Sequence, residues 1–238
     1  MQKAILRGET INLIEKRWKN RREYLKQPLQ RNELFCPLCE SKVEMHWALP
    51  AKRISHFKHK IQRDCTYGVG ESEEHNLGKL KLYEYLKETL ASKLETIQVE
   101  HFLPDSKQVA DIFILFKTGQ KWVVEYQRSN ISSEDIRKRR LLYKSLNITD
   151  IWICGENLVK EDELVTVSLR NAAQELQYKG KFGSASLITF NPIKEEISIF
   201  RGLERLNLNS FTISDIFKCQ LNELCFNVWG ILIVIRII

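Results

Sequence analysis

Two acids and an amide stand close together in the middle of the chain: Asp111 in QVADIFILF, and Glu125 and Gln127 in WVVEYQ. Both runs have strand composition, and in a strand side chains two apart point the same way. Glu125 and Gln127 therefore share one face, Val124 and Tyr126 share the other, and hairpin pairing of the two runs through the turn-like KTGQ brings Asp111 beside the first pair. Two carboxylates ~4 Å apart repel by ~4 kcal/mol at an effective dielectric of about 20. A hard divalent ion, Mg2+ or Mn2+, relieves that repulsion and prefers oxygen ligands. Bound there, it can activate water and stabilise charge on a phosphodiester. The alternative is a pair of exposed strand carboxylates without a partner.

A second constellation lies upstream, in FCPLCESKVEMHWALPAKRISHFKHKIQRDC. Cys36 and Cys39 form a Cys-x-x-Cys, His56 and His59 follow with a similar spacing, and Cys65 comes close behind. Thiolate and imidazole at these intervals suit tetrahedral Zn2+. Five candidates compete for four places: Cys36, Cys39 and His59, with either His56 or Cys65 as the fourth. With every position taken by protein the zinc is structural, and its binding energy is folding energy for a segment too short to bury a core of its own. The competing arrangement packs the histidines against Phe57 and Trp47 and leaves free thiols.

The elements that must position these groups read as follows. KAILRGETINLI alternates around a glycine and suggests a hairpin, and EKRWKNRREYLKQPL has helix-forming, heavily basic composition up to Pro28. GVG at 68–70 is a hinge candidate. ESEEHNLGKLKLYEYLKETLASKL, opened by Ser72 as a candidate cap, has Leu77, Leu80, Tyr83 and Leu86 at helical spacing. The strands ETIQVEHFL, QVADIFILF and KWVVEYQ come next, then the helix SSEDIRKRRLLYKSLNI and the strand DIWIC, for an order αβββαβ. Beyond residue 155 a further helix is expected in LRNAAQELQYKG and a hairpin in ASLITF and EEISIF.

Composition bounds the class. With 43% hydrophobic residues the chain can bury a real core, which excludes a disordered polypeptide. Residues 1–67 carry 15 Lys and Arg against 7 Asp and Glu, an excess of eight in a chain of net charge +7, so the remainder stands at −1. A basic module beside a nearly neutral one suits phosphate binding, because each neutralised phosphate releases counterion. The first residues contain no uninterrupted apolar core like that of a signal peptide, and the cysteines fall in a metal-binding pattern, so the expected compartment is the cytoplasm. The tail FNVWGILIVIRII falls short of the ~20 apolar residues a spanning helix needs. A buried strand without membrane insertion is the expectation there.

The series CPLC, SHFKH, ESEEH with Lys79 four residues on, VAD, VEYQRSNIS, Arg139 with Tyr143 four residues on, and IWI resembles, in the same order, the CoiA competence protein family. That resemblance covers roughly residues 30–155 and implies a restriction-endonuclease-like, PD-(D/E)XK nuclease core of αβββαβ type. It makes Asp111 and Glu125 the catalytic metal ligands and places Gln127 where most of the superfamily has a catalytic lysine. An amide cannot abstract a proton, so water activation would rest on the metal, a neighbouring acid or the substrate phosphate. Glu71 or Glu74 would complete the metal site. His75, Lys79, Ser129, Arg139 and Tyr143 would face DNA, with Arg139 the phosphate contact among the run Arg137, Lys138, Arg139 and Arg140.

The sequence thus leads to an α/β (α+β) chain in three parts: a basic region 1–67 with a zinc-binding module at 35–67, a nuclease-like domain at 68–155, and a mixed α/β region at 156–238. The resemblance implies a metal-dependent DNA nuclease of competence and natural transformation, acting in DNA recombination on single-stranded or branched DNA with recombination proteins as partners. The rival is a catalytically inactive DNA-binding adaptor, in which Gln127 marks a silent core.

Overall fold

The computed structural model describes residues 1–19, 21–46, 55–61, 65, 67, 71–106, 108–163, 165–179, 185–226 and 232–234. The hinge expected at 68–70, Trp47 and most of the apolar tail lie outside the described residues. The chain divides into two compact units, Met1–Leu80 and Lys81–Ile238.

The first unit opens with the expected hairpin, β1 (Lys3–Leu6) and β2 (Glu9–Asn12), paired from Lys3↔Asn12 to Leu6↔Glu9. Arg7 at φ 51° and Gly8 at φ 82° make its two-residue turn, the left-handed pair that matches the twist of adjoining strands. The basic run read as helical up to Pro28 forms two short helices, α1 (Lys16–Lys19) and α2 (Arg22–Lys26), and a third, α3 (Pro28–Asn32), starts at the proline. Pro28 is the cause of the last break, since the residue before a proline is forced out of the α region, and Gln27 sits at φ −58°, ψ 140°. After β3 (Leu34–Phe35), which pairs with β1, β4 (Val43–His46) and β5 (His56–His59) form a hairpin in register from Val43↔His59 to His46↔His56. Trp18, Leu25, Leu34, Val43 and Phe57 are buried. The long helix α4 (Glu73–Thr89) is capped as expected: Ser72 Oγ accepts the His75 N–H at 3.1 Å, with Glu73 and Glu74 in the first turn.

Behind α4 the order αβββαβ appears as read from the sequence: β6 (Leu94–Leu103), β7 (Gln108–Phe116), β8 (Lys121–Gln127), α5 (Ser133–Ser145) and β9 (Ile148–Gly155). The chain continues through β10 (Val159–Glu163), β11 (Thr166–Leu169), α6 (Asn171–Glu175), β12 (Tyr178–Lys179), β13 (Ala185–Asn191), β14 (Glu196–Arg205), β15 (Ser210–Thr212) and β16 (Asp215–Gln220). These strands join one mixed sheet with the core order β10-β11-β15-β14-β13-β9-β8-β7-β6; β12 adds to β13 and β16 to β14. Parallel pairing is confined to the contacts of β9 with β8 and β13. A two-stranded pair, β17 (Leu224–Phe226) and β18 (Leu232–Val234), lies off this sheet, so part of the apolar tail is strand.

Both faces of the sheet are covered, which explains why its central strands are apolar almost throughout. Val123, Trp152 and Cys154 bury one face with Ile136 and Tyr143 of α5 and Ala172 and Ala173 of α6. Ile112, Ile114, Trp122, Val124, Tyr126 and Ile153 bury the other with Leu82 and Leu86 of α4. The helix expected in LRNAAQELQYKG is shortened to α6 because Tyr178 is drawn into the sheet. Its backbone pairs with Ser186, and its hydroxyl both accepts from Trp152 N at 2.6 Å and donates to Trp152 O at 2.9 Å.

The tight β7–β8 connection fixes the register on which the site depends. Gly119 N donates to Phe116 O at 2.8 Å, Phe116 N donates to Gln120 O at 2.9 Å, and Gly119 has φ 82° with open space around it. Gly119→Ala therefore meets no clash and tests backbone strain alone. A loss of about 1 kcal/mol in urea unfolding is expected, and an unchanged midpoint would show that the turn does not hold the register.

Candidate functional site

The site of Asp111 begins where a ladder stops. β7 and β8 are paired from Leu115↔Lys121 to Ile112↔Val124, and although both strands continue, no pair is formed beyond that point. Parting strands leave backbone donors and acceptors without partners inside a protein, a costly state. Side chains close the gap. Asp111 Oδ2 accepts the Tyr126 N–H at 2.9 Å, and an Arg139 guanidinium nitrogen donates to Val109 O at 3.3 Å.

The same guanidinium nitrogen lies 2.7 Å from Glu125 Oε1, and the Tyr143 hydroxyl donates to that oxygen as well. Arg139 and Tyr143 are one turn apart on α5, so both reach down onto the sheet face that bears Glu125, and they contact each other at 3.2 Å. Arg139 also lies over the Trp152 ring at 5.4 Å. Burial works against the charge of Arg139, but Glu125, Tyr143 and Asp111 outweigh it and hold the guanidinium above its ordinary value. Burial, and then the negative charge of Glu125, push the Tyr143 phenol far above its usual range, so it remains a donor to the carboxylate. Glu125 itself is 2% exposed and Tyr143 0%. Both groups expected to face DNA from α5 are thus turned inward onto Glu125.

Gln127, next but one on β8, donates its side-chain N–H to Ser129 O at 2.7 Å, so the Ser129 backbone orients the amide. The rest of the basic run on α5 is paired: Arg137 with Glu175 through two bonds of 2.9 and 2.8 Å, Lys138 with Glu134 at 2.7 Å, and Arg140 with Asp150 at 2.9 Å. In the first unit, Lys79 is 1% exposed and its ammonium lies 2.7 Å from Glu71, with the Met1 amino nitrogen 3.3 Å from the other carboxylate oxygen. His75 and Glu74 sit in the first turn of α4.

One acid escaped the sequence reading. Glu100 on β6 is 4% exposed and stands opposite Asp111, between the pairs Val99↔Ile112 and His101↔Ala110, at φ 51°. The signal for it was a carboxylate directly beside a core-facing Val99; read by alternation alone, VEHFL puts that carboxylate on a solvent face.

The cluster of the first unit that could hold a metal ion is Cys36, Cys39, His59 and Cys65, whose donor atoms all lie within 4.8 Å of one another. Cys36 and Cys65 sulfurs are 3.9 Å apart, and the Cys39 sulfur is 3.4 Å from His59 Nε2. Tetrahedral ligands at about 2.3 Å from an ion stand roughly 3.8 Å from each other, so the spacing fits such a centre. Cys65 is therefore the fourth member, and His56 instead stacks on His46 across the hairpin at 5.5 Å. The turn is made by Cys36 N bonded to Ser41 O at 2.8 Å and Glu40 N to Cys36 O at 3.0 Å, with Glu40 at φ 55°. Burial pushes the Cys36 thiol up to about 12. Cys39, against the same effect of burial, is brought down to about 6 by hydrogen bonds with Ser41, Cys65 and His59, so it supplies a thiolate at neutral pH. A soft, nearly closed donor set of this kind can hold a metal ion such as zinc.

The Glu125 ion pair yields a direct test. Arg139→Met leaves a buried carboxylate without its cation and should cost about 3–5 kcal/mol in urea unfolding. Adding Glu125→Gln should restore much of the loss. A double variant as unstable as the single one would show that packing over Trp152, rather than charge, is what Arg139 provides.

Comparison with curated proteins gives no match, and comparison with solved structures gives none either. A family model matches residues 71–229, a stretch that includes α4, every strand from β6 to β17 and all the sheet residues described above. By that match the chain belongs to the family described as competence protein CoiA, nuclease-like domain.

Proposed function

We propose that this chain is a metal-dependent phosphodiesterase acting on single-stranded or branched DNA in the cytoplasm during natural transformation, alongside recombination proteins. The observation that carries the reading is the inserted Asp111 carboxylate at the parting of β7 and β8, with Glu125 next along β8, in a chain of the nuclease-like family. Residues 68–155 carry the chemistry in this reading, 1–67 form the basic zinc-organised module, and 156–238 extend the sheet.

Asp111 and Glu125 offer hard oxygen donors, which fit Mg2+ or Mn2+ better than the thiol-rich cluster does. When bound, the ion supplies an activated water and charge stabilisation at the phosphate. Everything else is done by the chain. The Tyr126 N–H fixes the Asp111 carboxylate, Arg139 and Tyr143 fix that of Glu125, and the Ser129 carbonyl fixes the Gln127 amide. With its N–H engaged, Gln127 presents its oxygen as an acceptor that can orient a water but cannot take up the proton. Glu71, which precedes α4 and is held by Lys79 and the Met1 amino group, and Glu74 in the first turn of α4 remain the candidate acids from that segment. His75 and Ser129 remain candidates for DNA contact. Zinc at Cys36, Cys39, His59 and Cys65 is assigned a structural role.

Asp111→Asn keeps an oxygen for the Tyr126 N–H while removing the charge, so it should fold normally and lose cleavage by at least a hundredfold; Glu125→Gln should lose as much activity and some stability. Gln127→Ala should fall less than either. The assay is cleavage of single-stranded, flapped and four-way DNA with manganese. Parental rates in both carboxylate variants under matched metal would overturn the nuclease reading. The second reading, an inactive DNA-binding adaptor, is favoured by the amide at position 127, and tight binding with no turnover by the parental chain would establish it.

Freshly purified chain should contain one zinc by elemental analysis. Cys65→Ser should lose it and His56→Ala should keep it, because only the former belongs to the cluster. Zinc retained by Cys65→Ser and lost by His56→Ala would reverse the ligand assignment.

A further inference from the structure

A groove of about 490 Å3 opens in the second unit between the loops that follow β8 and β9 and the α6 start, and among the described residues no acidic side chain lines it. Asn130 comes three residues after Gln127, and Asn157 two residues after the end of β9. β8 and β9 are parallel neighbours paired at Gln127↔Cys154, so both loops leave the sheet at the edge where Gln127 lies.

The hydrogen bonds around the groove decide what it presents. Asn130 Oδ1 accepts the Ala172 N–H at 3.1 Å, which leaves the side-chain NH2 of Asn130 for the groove. Asn209 is oriented through a chain of bonds: Arg205 donates to Gln174 Oε1 at 2.8 Å, so Gln174 presents its NH2, which donates to Leu169 O at 3.0 Å and to Asn209 Oδ1 at 3.1 Å. The Asn209 NH2 is thereby turned outward as well. Arg170 is exposed on the same rim, and its guanidinium has no hydrogen-bond or ion-pair partner among the described residues. Two amides oriented by a backbone donor and a side-chain donor on their oxygens, with an unengaged guanidinium and no carboxylate in the described lining, form a surface for an anion with several acceptor oxygens.

We propose that this groove is a subsite for the sugar–phosphate backbone of a single DNA strand, with Asn130, Arg170 and Asn209 donating to phosphate oxygens. The volume is that of a pocket for one small-molecule-sized segment, which suits one strand rather than a duplex. Leu158, Val159 and Leu169 supply apolar lining for the sugar. This inference rests on the nuclease reading for the identity of the anion. It adds a strand path that starts beside Gln127 and lies apart from the basic run on α5, whose members are each paired with an acid.

The test is binding of a fluorescent single-stranded oligonucleotide to the full chain in calcium, without magnesium or manganese, with circular dichroism confirming the fold of each variant. Arg170→Glu should weaken binding at least tenfold. Asn130→Asp retains an oxygen for the Ala172 N–H but replaces the groove-facing donor with a carboxylate oxygen, and should weaken binding to a similar degree. Arg170→Ala should make the log–log salt slope shallower by about 0.7. Lys121→Glu, a matched charge reversal at the opposite end of β8, should change affinity less than twofold. Parental affinity in Arg170→Glu and Asn130→Asp, or no binding by the parental chain, overturns the groove. Retained affinity in these variants of a chain that cleaves DNA with manganese removes the groove and leaves the nuclease reading standing; lost affinity in a chain that never cleaves removes the nuclease reading and keeps the groove.

Discussion

The site depends on the parting of β7 and β8 at Asp111. A continuous ladder would have joined the backbones of the two strands through to Gln127 and left no room for a carboxylate between them. Where the ladder stops, the Tyr126 N–H and the Val109 carbonyl need partners, and an inserted Asp111 and an overlying Arg139 provide them. The acid is thus held by the same bonds that stabilise the opened strands, and its position is set by backbone rather than by a flexible side-chain rotamer. Preorganisation of this kind is what an electrostatic site needs, since the orientation is settled before any ligand arrives.

Arg139 links this opening to the helix above it. One guanidinium serves the Val109 carbonyl, the Glu125 carboxylate, the Tyr143 hydroxyl and the Trp152 ring, so α5, β7, β8 and β9 meet on a single side chain. A buried carboxylate next to another acid is tolerable in the absence of metal because a cation of the protein already stands beside it. The repulsion expected from two bare acids is therefore relieved in the resting chain. A consequence is that each member of the basic run on α5 is matched by an acid: Arg137 by Glu175, Lys138 by Glu134, Arg139 by Glu125 and Arg140 by Asp150.

Elements with strong local signals were legible. The αβββαβ order, the Ser72 cap, the turn at Gly119 and the shared face of Val124 and Tyr126 follow from periodicity and turn chemistry, and all are found. Where the reading went astray, a distant contact had overruled a local preference. Tyr178 leaves its helix to bridge Trp152. Spacing brought Cys36, Cys39 and His59 together but could not choose between His56 and Cys65, because that choice is made by hairpin register: His56 pairs with His46 at the far end of β4–β5, away from the sulfurs. Glu100 was invisible for the opposite reason, being an acid at a place where alternation predicts solvent and the fold supplies burial.

The amide at position 127 shapes the chemistry that this scaffold can support. A lysine at the end of β8 would bring a mobile cation and a proton donor to the reacting phosphate; Gln127 brings neither, and its N–H is tied to the Ser129 carbonyl. Charge stabilisation must then come from elsewhere, and α5 cannot supply it while Arg139 is bound to Glu125. Unengaged donors do lie beside the same sheet end, on the loop after β8 and at the start of α6, where Asn130 and Arg170 face a groove with no acid among its described lining residues. Phosphate held by fixed amides and one guanidinium is oriented more than it is polarised, so the demand for water activation falls more heavily on whatever ion Asp111 and Glu125 retain. A site built in this way should be sensitive to the identity of its metal and tolerant of substitution at Gln127, the reverse of what a lysine-centred site would show.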